Sequence, residues 1–340
     1  MQSNTEYKPE WIREDFVDFI AEKFDSIWAW KRIKAEIASV KALSSDFIQL
    51  RLRPNQNFKV QDYQAGQSIL LTVLIGGVRH QRSYSIVDIS DQGQIAIAVK
   101  KQGAVSNALT ALQAGAVVEI SKPQGGFVLK PSAQARLLLA SGSGITAIYA
   151  LLAAHLRQSQ QPIDLIYFTR DGAYAAEIQA LAAQYPHFKF HLINTLQQKQ
   201  HADAALLKQR VPDFKSRDCY ACGALAMMQS IQQLYAQLAL TEQLYTEYFQ
   251  IPADESLESQ PVKFLCAQQE FQAQSNLLES AELAGLKPAH GCRMGICNTC
   301  SCTKVQGSVK NMLTGEIDSR NNAQIKLCIS QAISPVVINL

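Results

Sequence analysis

The sequence lacks a strong charge of either sign. Its 32 Lys and Arg residues nearly balance its 29 Asp and Glu residues, so the formal net charge is only +3. A charge this small gives no support to a nucleic-acid partner or to electrostatic binding on a membrane surface. The chain also lacks internal repeats. Its 340 residues are instead enough for two or three globular domains.

The N-terminus lacks the pattern of a secretory signal peptide. Residues 1–10 are polar, and the following stretch contains Arg13, Glu14, Asp15 and Asp18, so no apolar segment precedes a cleavage site. We therefore expect a cytoplasmic protein, with a peripheral position at the inner face of the membrane as the alternative. Disulfides are not expected in that compartment.

Long hydrophobic runs are also scarce. The run from Leu137 to Leu156 contains no Lys, Arg, Asp or Glu and has the length of a membrane span. However, the sequence Ser-Gly-Ser-Gly at 141–144 interrupts it near the middle. A buried strand, a tight turn and a helix explain the run better than a transmembrane helix does.

The remaining sequence predicts a multidomain fold. Residues 1–34 form a helical lead, residues 35–130 an antiparallel β-barrel of short alternating strands, and residues 131–258 an α/β doubly wound domain. Residues 259–340 begin with a strand and a helix and continue into a Cys-rich loop, which predicts a small α+β domain. The boundary near 250–261 reads as a linker.

The helical lead is predicted to be amphipathic. Its apolar residues fall near helical spacing, with acidic and basic residues between them; they are Trp11, Ile12, Phe16, Phe19, Ile20, Phe24, Ile27 and Trp28. This apolar side either packs over the barrel or serves as an interface.

Cysteines are rare except near the C-terminus, where five of the eight lie between Cys292 and Cys328. Cys292, Cys297 and Cys300 have the spacing C-x4-C-x2-C, and Cys328 is a distant fourth. This is the spacing of a plant-type [2Fe–2S] cluster, in which four thiolates hold two irons. Glycines in the loop let the backbone curl closely, so that peptide N–H groups point at the sulfurs.

Two other interpretations of the cysteines stay open. A zinc site would normally show C-x2-C pairs on both sides, and the thiols could instead be reduced core residues. Cys302 is expected to fill space rather than bind metal, and Cys266 is expected in the core of a strand. Cys219 and Cys222 form a C-x2-C pair without a thioredoxin-like context.

A flavin site is indicated by three elements in order. Arg82, Tyr84 and Ser85 lie in a predicted strand, and they offer a fork for phosphate, an aromatic face and a hydroxyl. Alone, these residues could belong to an ordinary barrel strand. Next, Gly103 to Ser106 opens a predicted helix whose free N–H groups suit a phosphate. The third element is a glycine loop, with Gly125 and Gly126, that closes the barrel.

A nicotinamide nucleotide site is indicated at the start of the doubly wound domain. Gly142, Gly144 and Thr146 lie where a buried strand turns into a helix, an arrangement that lets a pyrophosphate approach the helix N-terminus. The same glycines could serve a purely structural turn. Cys222 and Gly223 end a later strand of the sheet, at the edge where such folds hold their ligands.

Arg170 bears on the choice of nucleotide. It follows another predicted strand, where an Arg can hold a 2′-phosphate, whereas an acidic residue there would favour NADH. Asp171 is adjacent, so a positive and a negative side chain lie next to each other here. We expect NADPH, with NADH as the alternative.

Taken in order, these motifs resemble the ferredoxin–NADP reductase superfamily over residues 35–340, and more narrowly its flavin–nicotinamide–ferredoxin fusions. The resemblance implies FAD, with FMN less favoured, and a β-grasp ferredoxin domain. It also implies that hydride passes from the nicotinamide near Thr146 and Cys222 to a flavin held by Tyr84 and Ser85, and that electrons then reach the cluster singly. Glu247 and Phe249 match the family pattern beside the flavin.

The resemblance also implies an electron acceptor, a terminal oxygenase. Bacterial reductases of membrane fatty-acyl desaturases are the nearest likeness, and reductases of ring-hydroxylating oxygenases are the alternative. A non-catalytic iron–sulfur sensor would be a different class, but no DNA-reading module accompanies the cluster.

The sequence departs from the family pattern at two places. Ala147 stands where many relatives have Pro. Residues 259–340 carry seven Lys and Arg against five Asp and Glu, unlike an acidic plant ferredoxin.

Overall fold

The computed structural model describes residues 14–249, 253–254 and 256–340. In chain order these form a closed antiparallel barrel, a five-stranded parallel sheet and a mixed five-stranded sheet with a small three-stranded sheet beside it. The predicted multidomain fold class is confirmed. Trp11, Ile12 and part of the predicted linker lie outside the described residues, and the domain boundaries stay predictions.

The barrel is built from short strands whose inward side chains are almost all Ile, Leu and Val. Their order is β1-β2-β5-β4-β3-β6, and β6 pairs back onto β1 to close the ring. The elements of this part are α1 (Glu14–Ala21), β1 (Ile33–Ala42), β2 (Phe47–Pro54), β3 (Ser68–Ile75), β4 (Val78–Ile89), β5 (Ile95–Lys100), α2 (Ala104–Thr110) and β6 (Val117–Ile120).

The next part is the doubly wound domain. Its strands are all parallel in the order β11-β10-β7-β8-β9, so their carboxyl ends meet at one edge. The elements are β7 (Arg136–Ser141), α3 (Ile145–Gln158), β8 (Ile163–Thr169), α4 (Ala175–Gln184), β9 (Phe188–Asn194), α5 (Ala204–Arg210), β10 (Asp218–Cys222), α6 (Leu225–Gln237) and β11 (Leu244–Glu247).

The uncharged run in this domain divides between β7 and α3, as expected from its central glycines. Both elements are buried between the sheet and its neighbours, which explains the missing charges. Within the described ranges, no helix combines the length and the apolar character needed to cross a bilayer.

The C-terminal part is the predicted α+β domain. Its main sheet has the order β13-β12-β19-β14-β17, and β16-β15-β18 form the small sheet. The elements are β12 (Gln260–Phe264), β13 (Gln269–Ala273), α7 (Leu277–Leu283), β14 (Ser301–Gln306), β15 (Val309–Asn311), β16 (Ile317–Asp318), β17 (Ala323–Lys326), β18 (Ser330–Ala332) and β19 (Val336–Asn339).

The prediction that Cys266 belongs to a strand core is wrong. β12 ends at Phe264 because the chain turns back into β13, with Gln268 in the left-handed region at φ 51°. Cys266 therefore lies in the turn and is exposed. Cys302, by contrast, is buried in β14.

The N-terminal helix presents its apolar side to solvent rather than to the barrel. On this helix Phe16, Phe19 and Ile20 are 65%, 56% and 45% exposed, whereas Asp18 is buried. The Asp18 carboxylate accepts the Trp30 backbone N–H at 2.7 Å and the Arg32 Nε–H at 2.8 Å. Thus a carboxylate, not an apolar face, attaches α1 to the barrel.

Asp18→Asn should loosen α1. Burial raises the pKa of Asp18, but the Trp30 N–H and the Arg32 guanidinium outweigh burial and bring this pKa below its ordinary value. A charge-assisted contact of this kind stabilises by about 1.5–3 kcal/mol. That stabilisation is present above the ordinary carboxyl pKa and is lost as the pH falls through the lowered value.

The measurement is the rate of tryptic cleavage within residues 14–34 for wild type, Asp18→Asn and the exposed control Asp25→Asn. We expect faster cleavage for Asp18→Asn alone. Equal rates for all three proteins would show that Asp18 does not attach the helix.

Candidate functional site

Most of the predicted site residues meet around one cavity of about 950 Å³, and Arg170 lies outside its wall. Its wall takes side chains from the barrel, the doubly wound domain and the C-terminal domain. Among the lining residues are Arg82, Tyr84, Ser85, Gly103, Ser106, Gly142, Thr146, Gly223, Phe249, Cys292 and Cys328. Motifs that lie more than 200 residues apart in sequence therefore share one space.

The barrel wall of the cavity suits a flavin. Ser85 is buried, and its Oγ has no hydrogen-bond partner among the described residues. Beside it, burial raises the pKa of Tyr84 to about 12, against the opposing effect of Arg82, so the phenol stays protonated. An orphaned hydroxyl next to an aromatic ring fits the polar edge and the flat face of a flavin ring.

The start of α2 also lines the cavity, but Ser106 has a structural task there. Its Oγ accepts the backbone N–H of Gly103 at 3.0 Å and of Gln102 at 2.9 Å. The hydroxyl therefore fixes the turn that enters the helix. Gly125 and Gly126 are not on the cavity wall: the Gly125 carbonyl accepts Gln67 Nε2 at 3.3 Å, so their predicted contact with the flavin stays a prediction.

Two glycines of the nucleotide motif are required by backbone packing. A Cβ on Gly144 would lie 2.1 Å from the Cys222 carbonyl oxygen, and one on Gly223 would lie 2.6 Å from Ser141. The turns after β7 and β10 thus press directly on each other. Gly142 lies on the cavity wall at φ 53°, a conformation that suits glycine. This favours Gly142 and the start of α3, rather than Gly144, as the nucleotide contact.

Thr146 and Cys222 differ in how they reach the cavity. Thr146 lines it, and its Oγ1 donates to the Ser143 carbonyl at 3.0 Å. Cys222 is fully buried behind the wall, where burial and the neighbouring Glu247 carboxyl raise the pKa of its thiol well above the ordinary value. Burial likewise raises the pKa of Glu247 to about 8. At neutral pH both groups are therefore uncharged.

The cysteine loop brings its four predicted ligands together. Cys300 Sγ donates to Cys328 Sγ at 3.3 Å, and Cys292 Sγ accepts the backbone N–H groups of Met294 and Cys297 at 3.4 and 3.3 Å. The neighbouring thiols and these N–H groups lower the pKa of Cys292. Buried thiols with peptide donors aimed at sulfur fit an iron–sulfur cluster.

Glycine is required in this loop as well. Gly295 has φ 75°, and a Cβ there would come within 2.9 Å of the Ile329 side chain. The loop therefore curls tightly against the segment that carries Cys328.

The cysteine loop also packs on the barrel. Leu70 of β3 forms a buried cluster with Cys292 and Cys297. A Cβ on Gly291 would lie 3.1 Å from the Oε1 atom of Gln81 in β4. The predicted cluster ligands and the predicted flavin residues therefore lie at one domain junction.

Several lining residues were not identified from the sequence. Lys100, Asn276, Glu279 and Arg293 all face the cavity. Only Arg293 carried a signal, since it directly follows the first cluster cysteine. The others depend on how the domains meet, which no local pattern reports.

The surroundings of Arg170 and Asp171 differ. Asp171 Oδ2 lies 3.4 Å from Lys100 Nζ, and its Oδ1 accepts the Ala173 N–H and the Thr169 hydroxyl. Arg170 is exposed directly after β8, and the described residues offer it no hydrogen bond or ion pair. The acidic neighbour is thus neutralised while the guanidinium stays open to solvent, which favours a 2′-phosphate.

Family models match three consecutive segments of the chain. An oxidoreductase FAD-binding domain matches residues 34–129, an oxidoreductase NAD-binding domain residues 138–233, and a 2Fe-2S iron-sulfur cluster binding domain residues 264–332. The cofactors predicted from the sequence, FAD, NAD(P)H and a [2Fe–2S] cluster, are those of these domains.

Individual proteins resemble the chain over most of its length. An NADPH oxidoreductase of Mycobacterium tuberculosis is 28% identical over 330 residues, which are 92% of this chain and 86% of that protein. The 3-chlorobenzoate-3,4-dioxygenase reductase subunit of Comamonas testosteroni is 26% identical over 88% of this chain and 94% of its own. The solved structure of phthalate dioxygenase reductase has the same fold, with a TM-score of 0.62, 22% identity and coverage of 90% and 97%.

Arg170→Ala should weaken NADPH binding more than NADH binding. Loss of one charge-assisted contact to the 2′-phosphate corresponds to about 1.5–3 kcal/mol, or roughly tenfold or more in affinity. Steady-state KM values for both nucleotides measure the split, and the exposed Arg210→Ala on α5 is the matched control. An equal loss for NADPH and NADH would show that Arg170 is not a 2′-phosphate ligand.

Proposed function

Because the chain belongs to the ferredoxin–NADP reductase superfamily, we propose that it supplies electrons to a terminal oxygenase. It is an NAD(P)H-dependent oxidoreductase that carries FAD, NAD and [2Fe–2S] domains in one polypeptide. The observation that carries this proposal is the shared cavity, whose wall includes both Tyr84 of the barrel and Cys292 of the cluster loop. NADPH is the proposed donor, on the evidence of Arg170.

Each domain has a separate task in this proposal. Tyr84 and Ser85 would hold the flavin ring, and Arg82 its phosphate. Gly142 and Thr146, at the start of α3, would hold the nicotinamide nucleotide. The four thiols of the loop would hold the cluster; these are Cys292, Cys297, Cys300 and Cys328. A bound flavin supplies the conversion between two-electron hydride transfer and one-electron transfer.

Two buried residues behind the nucleotide side of the cavity add no charge to it. Glu247, with a pKa of about 8, holds a proton at neutral pH, and the Cys222 thiol is neutral too. This part of the wall therefore accepts an uncharged ring without the cost of burying an unpaired charge. Phe249 lines the same cavity and adds apolar surface that limits water.

Two classes of oxygenase are candidates for the electron acceptor. Two similar proteins are named as dioxygenase reductases, which favours a ring-hydroxylating partner. The exposed phenylalanines of the N-terminal segment favour the second candidate, a membrane fatty-acyl desaturase, because apolar side chains suit a contact at a membrane. They likewise support a peripheral position at the inner membrane face.

Cys297→Ser tests the proposed order of transfer. It should remove one cluster ligand and prevent stable cluster assembly, while the flavin and nucleotide domains keep their own cores. NADPH-dependent reduction of ferricyanide, which can draw electrons directly from the flavin, should stay near the wild-type rate. Cytochrome c reduction should fall at least tenfold. The buried non-ligand change Cys302→Ser is the matched control.

The outcomes are distinct. If both activities fall equally while flavin stays bound, the cluster is not downstream of the flavin. If neither falls, Cys297 is not part of the electron path.

A deletion strain separates the two candidate oxygenases. Loss of a desaturase reductase should lower the unsaturated fraction of membrane fatty acids, whereas loss of a ring-hydroxylating reductase should abolish growth on aromatic acids with lipids unchanged. A strain unaltered in both respects would contradict both acceptors.

A further inference from the structure

Arg293 holds an unusual position in the cluster loop. It is a non-glycine residue in the left-handed region, at φ 59°, directly after the cluster ligand Cys292. Its guanidinium forms a two-point ion pair with Glu282, with Nη1 at 2.8 Å from Oε2, and Nη2 lies 2.8 Å from His290 Nε2. Such backbone conformations persist where the surroundings demand a particular side-chain direction, and here Arg293 lines the cavity.

Arg82 reaches the same cavity from the barrel. Its Nη1 donates to the Gln81 carbonyl at 2.8 Å, and in the part of the chain that the structure describes no carboxylate pairs with it. Burial and the charge of Arg293 lower the pKa of Arg82, and both side chains line the same cavity at the domain junction.

The charged groups around the cavity differ in whether they are paired. Arg293 is paired with Glu282, and Lys100, which also lines the cavity, is paired with Asp171. Arg82 has no carboxylate partner among the described residues. Glu279 faces the cavity too, without an ion pair among the described residues. A partly buried guanidinium without a carboxylate partner favours an anion beside it. Guanidinium forks match the geometry of phosphate oxygens.

We propose that Arg293 of the cluster loop and Arg82 of the barrel together bind the phosphate of the flavin nucleotide. The phosphate then links the two domains, and flavin binding holds the cluster loop against the barrel. Arg293 is thus a flavin-binding residue contributed by the iron–sulfur domain. The inference rests on the proposed function only in that a flavin occupies this cavity.

A simpler role for Arg293 would be to brace Glu282 within its own domain. The two roles predict different results for the two halves of the ion pair. If Arg293 only braces, Arg293→Gln and Glu282→Gln break the same contact and act alike. If Arg293 binds phosphate, only Arg293→Gln weakens flavin nucleotides, because Glu282→Gln leaves the guanidinium in place.

The experiment titrates deflavinated protein, with its cluster intact, with FAD, FMN and riboflavin, and follows the quenching of flavin fluorescence. For Arg293→Gln we expect FAD and FMN to bind about tenfold or more weakly, with riboflavin unchanged because it has no phosphate. Glu282→Gln and the 83%-exposed control Arg320→Gln should bind all three like wild type. Arg293→Lys, which keeps the charge without the fork, should fall between.

Hydrogen exchange of wild-type protein gives a second readout that needs no variant. FAD and FMN should slow exchange at residues 290–296, and riboflavin should not. Equal protection by all three flavins, equal weakening by Arg293→Gln and Glu282→Gln, or unchanged FAD and FMN affinity in Arg293→Gln would overturn the inference alone. Failure of wild type to bind any flavin would overturn the proposed function, and the inference with it.

Discussion

The contact between the cluster loop and the outer face of the barrel is the constraint on which the rest of the structure depends. Leu70 packs against the backbone and thiols around Cys292 and Cys297, so the loop that gathers the cysteines also closes one side of the cavity. The rate of electron transfer falls steeply as the distance between donor and acceptor grows. A fold that would hold the flavin and the cluster at one domain junction can pass electrons within the chain, without a diffusing carrier.

The doubly wound domain meets this junction through backbone geometry. Parallel strands bring their carboxyl ends to one edge, and the turns after β7 and β10 touch so closely that Gly144 and Gly223 have no room for side chains. That packing fixes where Gly142 and Thr146 face the cavity. The proposed nicotinamide site is therefore positioned by the same close contact between the two turns, and the neutral Cys222 and Glu247 lie behind it.

Short local motifs predicted most of the fold and many of the residues that line the cavity. Arg82 to Ser85 and the cysteine spacing are short patterns whose chemistry is contained in neighbouring residues, and both lie where the sequence predicts. The sequence left open which way the apolar side of α1 faces, because the attachment of the helix depends on Asp18 meeting Arg32, directly before β1. The prediction for Cys266 was wrong because β12 ends at Phe264, where the chain turns back to pair with β13. Arg293 and Arg82 likewise come to line one cavity only when two domains meet.

Single-turnover reduction at varied viscosity tests the central claim most directly. Oxidised protein is mixed anaerobically with excess NADPH, and the absorbance changes of flavin and cluster are followed separately as protein concentration and glycerol are varied. With both groups held at one junction, cluster reduction should follow flavin reduction at a rate independent of protein concentration and nearly independent of viscosity. A rate proportional to protein concentration, or one falling in inverse proportion to viscosity, would contradict the account.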